Sequence, residues 1–83
     1  MDKRLGFIGI IVDKREENAA DVNALLTEYG DIVVARMGVP YQEKRCNVIT
    51  LVVDTNTDRL GELSGKLGTI PGVSVKSALS KNK

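Results

Sequence analysis

The stretch Leu5-Gly6-Phe7-Ile8-Gly9-Ile10-Ile11-Val12 is rich in β-branched residues and apolar on both of its alternating sets of positions. A strand turns successive side chains to opposite faces, so Phe7 and Ile11 point one way while Ile8, Ile10 and Val12 point the other. A second stretch repeats the pattern. Within Arg45 to Asp54, Val48 and Val52 oppose Ile49, Leu51 and Val53. Strands apolar on both sides belong in the middle of a sheet that is covered on both sides.

Working outward, Asp13 can cap a helix, with Glu16 three residues later as a variant of the capping box. Ala19, Val22, Leu25, Leu26 and Tyr29 then recur at helical spacing, with Asp21, Asn23, Thr27 and Glu28 mostly between them, until Gly30 supplies a stop. Asp31 to Val39 reads as the second strand and Pro40 to Glu43 as a turn into the third. Asn56-Thr57-Asp58-Arg59 opens a second helix with Leu60, Leu63, Leu67 and Ile70 on one face, and Pro71-Gly72 breaks it. Val73 to Leu79 is the last strand. The edge candidates are more mixed than the central pair, with Arg36 in the second strand and Ser74, Lys76 and Ser77 in the fourth.

The order β-α-β-β-α-β is the split βαβ, or ferredoxin-like, pattern. The expected fold class is α+β: a four-stranded antiparallel sheet with two helices on one face. The expected strand order is 4-1-3-2, with the first and third strands central. Residues 1–83 make one domain, with a polar tail at about 80–83. Both helices cover one face, which leaves the aliphatic side chains of the other face in water. A chain of 83 residues cannot supply a further layer, so self-association into a dimer or tetramer is expected, by face packing or by pairing of edge strands.

Composition removes several functions. Twelve basic against eleven acidic residues give a net charge of +1, which is no footprint for nucleic acid. The chain has no histidine, so the usual general base near neutral pH and the commonest metal ligand are both missing. Cys46 stands alone, without the clustered thiolates of an iron–sulfur site or the C-x-x-C pair of a copper or zinc carrier. Cys46 to Val53 contains no aromatic residue on which an RNA base could stack. No catalytic residues, metal or cofactor are expected. Leu5 to Val12 is too short to span a bilayer and lacks a cleavage site, and one free cysteine suits a reducing cytoplasm.

Binding candidates remain. Gly61, Gly65 and Gly68 lie four and three apart on one stripe of the second helix, where each interior glycine costs roughly 1 kcal/mol relative to alanine. Either a ligand or a partner backbone approaches that stripe, or the helix rests closely on its own sheet with Gly68 ending it. Arg36, inside an apolar strand, is placed to pair with an anionic ligand or a carboxylate across a subunit contact, or to act as a protective edge charge. Cys46 reads as a small buried hydrophobe, and Asp13, Glu16 and Glu17 as helix-start carboxylates that complement the macrodipole.

Arg36-Met-Gly-Val-Pro40, Val48 to Asp54, and Leu60-Gly-Glu-Leu-Ser-Gly-Lys-Leu-Gly-Thr-Ile-Pro-Gly-Val-Ser-Val-Lys76 resemble a family of small bacterial proteins described as iron-only hydrogenase system regulators. Ile11-Val-Asp-Lys-Arg-Glu16 and Val22-Asn-Ala-Leu-Leu26 extend the likeness over nearly the whole chain. The resemblance implies an ACT-like fold and a regulatory role; taken with the two-faced central strands and the glycine stripe, the expectation is a module that acts as an oligomer through a small-molecule ligand or a protein partner. The alternative is a pure oligomerisation domain without a ligand. The last β-α-β unit is also similar to the C-terminal domain of nickel-responsive repressors, whose metal-binding cysteine would fall near Cys46. The histidines that complete that site have no counterpart, so nickel sensing is not expected. Amino-acid-binding ACT domains carry a glycine after the first strand; here Asp13 to Asn18 has none, so ordinary amino-acid binding is not expected either.

Overall fold

The computed structural model describes residues 3–81; Met1 and Asp2, and Asn82 and Lys83 of the expected tail, lie outside the described residues. The elements are β1 (Arg4–Val12), α1 (Arg15–Glu28), β2 (Val33–Tyr41), β3 (Cys46–Thr55), α2 (Thr57–Gly68) and β4 (Val73–Leu79). Short 3-10 turns occupy Gly30–Ile32 and Gln42–Lys44. The sheet is antiparallel throughout, in the order β2-β3-β1-β4, so the two strands that are apolar on both sides are indeed central. This is the ferredoxin-like βαββαβ arrangement.

Register decides which side chain meets which. Ile8 lies opposite Leu51 and Ile10 opposite Ile49, and these four, with Val12 and Val53, are buried beneath the helices. Val22, Leu26 and Tyr29 of α1 and Leu60, Leu63 and Leu67 of α2 close the core from above. The intervening residues point to the other face, and nothing among the described residues covers them. Leu5, Phe7, Ile11, Met37, Val39, Val48 and Val52 are between 37% and 62% exposed. Two glycines are demanded by the backbone. A side chain at Gly6 would collide with the carbonyl oxygen of Ala78 on β4. Gly72, at φ 79, makes the left-handed turn that returns the chain from α2 to β4.

Local departures from expectation have physical causes. Asp13 does not cap α1. The chain turns at Lys14 in a left-handed conformation (φ 49), and no side chain caps the helix start. Asp13 is committed elsewhere: its N–H donates to the Gly72 carbonyl at 2.8 Å, and its own carbonyl accepts from Asn18 Nδ2 at 3.0 Å. Glu16 receives Arg45 at 3.1 Å instead of closing a capping box. Gly30 does not stop the helix in a left-handed turn; α1 ends at Glu28, and Gly30 begins the 3-10 turn that buries Ile32. That turn delays β2 to Val33. β2 then runs through Pro40 to Tyr41, because an edge strand tolerates a residue without an N–H. Asn56 does cap α2, accepting from the Arg59 N–H at 2.9 Å.

Leu63 is fully buried between α2 and the sheet. Leu63→Ala should lower the unfolding free energy by about 2–5 kcal/mol, read from urea titration as an earlier midpoint with unchanged slope.

Candidate functional site

Three places outside the core could engage another molecule. The largest is the open face of the sheet. Its apolar character follows directly from the double-sided patterning of β1 and β3, extended across the β2 edge by Met37 and Val39.

The second is a cleft of about 190 Å³ between α1 and the β2–β3 hairpin. Arg36 pairs with Leu51, Gly38 with Ile49 and Pro40 with Asn47, so these β2 residues share the helix-covered face. Arg36 therefore points toward α1, and its Nη2 donates to Asn23 Oδ1 at 2.7 Å. Val12, Val22 and Ile49 supply apolar wall, while Asn23, Asn47 and the Arg36 guanidinium supply polar groups. A planar cation with one hydrogen bond made inside the chain and further N–H groups available suits a carboxylate or another small anion.

The third is the outer stripe of α2. A Cβ placed on Gly61, Gly65 or Gly68 would meet no atom within 4 Å. The helix rests on the sheet through Leu60, Leu63 and Leu67, so none of these glycines is needed for that contact. Close helix-to-sheet packing is thereby removed as their cause. The shielded Ser64 Oγ, on the same helix, has no hydrogen-bond partner among the described residues. The cleft around Arg36 contains none of the three glycines, so the four binding candidates do not converge on one site.

Cys46 is buried opposite Tyr41 at the start of β3. Among the described residues, no three His, Cys, Asp or Glu side chains gather as a metal site.

One cluster escaped the sequence reading. Tyr29 is buried, with the Arg59 guanidinium 5.2 Å and the Lys66 ammonium 5.1 Å from its ring centre. Its hydroxyl donates to Glu62 Oε1 at 3.2 Å. Arg59 grips Asp31 through two bonds of 2.9 and 3.0 Å, and Lys66 pairs with Glu28 at 3.3 Å. The spacing of Arg59, Glu62 and Lys66 on one α2 face was the available signal; what it could not reveal was that Tyr29 of α1 would lie beneath it. The cluster clamps the two helices. Hydrogen bonding and charge from Arg59 hold the Asp31 carboxyl below its ordinary range, and the Tyr29 hydroxyl and Glu28 keep Lys66 protonated above its own.

A depressed carboxyl pKa contributes stability that is present above the ordinary value and lost as pH falls through the lowered one. An NMR titration should show Asp31 ionising at lower pH than a free aspartate, and Arg59→Gln should raise its midpoint. In the single chain, Gly65→Ala adds a methyl group to open space and should raise helix stability by about 1 kcal/mol, seen as a few degrees in Tm.

Residues 4–77 match the model of a family called TM1266-like, with the description "Iron-only hydrogenase system regulator, putative". The solved structure of uncharacterized protein TM1266 from Thermotoga maritima is 40% identical to this chain, with a TM-score of 0.92. That alignment covers 96% of this chain and 100% of TM1266. The ACT domain of GTP pyrophosphokinase from Chlorobium tepidum superposes with a TM-score of 0.71 at 19% identity, covering 100% of this chain and 92% of that one. The C-terminal domain of the MgtC protein from Mycobacterium tuberculosis gives 0.72 at 15% identity, covering 95% and 89%. These two share the fold alone. No curated protein matches the chain. The match over residues 4–77 and the identity with TM1266 place this chain in the TM1266-like family of iron-only hydrogenase system regulators.

Proposed function

We propose that the chain is a small, non-enzymatic regulatory module of a hydrogenase system, working in the cytoplasm as a homo-oligomer that responds to a ligand or a protein partner. The observation that carries this is the apolar sheet face opposite the helices, whose exposed residues run across three adjacent strands. A regulator needs surfaces that change occupancy rather than a reacting centre. A histidine-free chain with a self-sufficient core on one side and an uncovered apolar layer on the other supports that role. The cleft at Arg36 is where a small anionic ligand would sit, beneath α1 and close to the β2 edge.

Mass measurement by light scattering should give a dimer or tetramer. A thermal-shift screen of small carboxylates should raise Tm by several degrees for at least one, with the response lost in Arg36→Gln. A strict monomer up to about 0.2 mM that no compound stabilises would count decisively against the proposal.

A second reading, a pure assembly domain without a ligand, is favoured by the open glycine stripe, which admits another backbone closely. Gly65→Ala separates the two. Loss of assembly alone supports the scaffold; loss of a ligand response with assembly intact supports the sensor.

A further inference from the structure

Nothing among the described residues requires a glycine at position 9. It lies in the middle of β1, between Thr50 on β3 and Lys76 on β4, where a glycine weakens a strand. Its φ is not in the left-handed region, and a Cβ would meet only the Lys76 carbonyl oxygen, at 3.9 Å. Gly6, three residues earlier, is required by the approach of β4; Gly9 is not. What its missing side chain creates is a hollow on the open face, about 260 Å³ in volume, bordered by Ile11, Val48, Ser74 and Lys76. Two residues along the same strand and on the same face stands Phe7, 55% exposed.

We propose that two copies of this chain pack open face to open face about a two-fold axis crossing β1 at Ile8, each Phe7 seated in the hollow above Gly9 of the second copy. The inference rests on the oligomeric reading above and specifies its contact. A knob and a hollow on one surface, equidistant from one residue, are what a two-fold contact requires. Facing sheets lie about 10 Å apart, so an aromatic ring spanning most of that gap needs a residue without a side chain opposite. The same axis brings Ile11 over Leu5 of the second copy. Since Ile8 pairs with Leu51, it also brings Val52 over Thr50 and Val48 over Asp54, so the apolar contact runs along β1 and is mixed with polar groups along β3. Nothing charged stands from Leu5 to Val12 or from Cys46 to Val53; the charges nearest the contact are Lys76, which borders the hollow from the edge strand β4, and Asp54, beside Leu5. The seven exposed apolar residues present roughly 600 Å², judged from their fractional exposure. That lies at the upper end of the largest apolar patch a monomer ordinarily leaves uncovered, and is on the order of the apolar part of a standard contact of about 800 Å² per partner.

The test is sedimentation equilibrium of the full chain against Phe7→Ser and Gly9→Val, with circular dichroism to confirm folding. Phe7 is exposed in the single chain and valine is at ease in a strand, so both variants should keep the fold. Each should weaken association at least tenfold. If the parent associates and both variants keep its dissociation constant within twofold, this contact is wrong and the oligomer uses another surface, such as a strand edge. If only Phe7→Ser weakens it, the seating on Gly9 is overturned. A parent that stays monomeric overturns this contact and the oligomeric reading together.

Discussion

The molecule is organised by one constraint, the strict alternation of side chains along β1 and β3. The apolar residues of these strands supply two layers, and the chain has helices for only one. Ile8, Ile10, Val12, Ile49, Leu51 and Val53 are buried to within a few per cent of complete, whereas their neighbours in sequence remain wet. Burying the first set organises the fold, because both helices take their position from it. Leaving the second set uncovered costs solubility unless another surface arrives.

The helix layer is held by two unlike contacts. Leucines of α2 seal the core, and the Tyr29 cluster joins the end of α1 to the flank of α2 through stacked cations and ion pairs. Exposed ion pairs contribute little singly. Here their value is geometric, since Arg59 and Lys66 both lie against a buried ring and fix the separation of the helices. The cleft in which Arg36 meets Asn23 lies between α1 and the β2–β3 hairpin.

The strand pattern, the strand order and the core were legible in the sequence because periodicity survives folding unchanged. Val73–Leu79 and the three buried leucines of α2 lie where spacing puts them. What failed was end chemistry. Asp13 has the right residue type for a cap, but its backbone is tied across the molecule to Gly72, a partner 59 residues away that no local rule reveals. Arg36 was visible as an anomaly, yet its direction depends on pairing with Leu51 across the hairpin. The α2 glycines show the same limit, since spacing gave the stripe but not which side of the helix it would occupy.

The outer border of β2 is punctuated at both ends. A bulge between Val33 and Ala35 disturbs its start, and Pro40, with no N–H and a rigid ring, disturbs its finish. Only Arg36 to Val39 remain as regular border, too few for a stable ladder with a neighbouring chain. Growth into filaments by strand addition at that border is therefore frustrated.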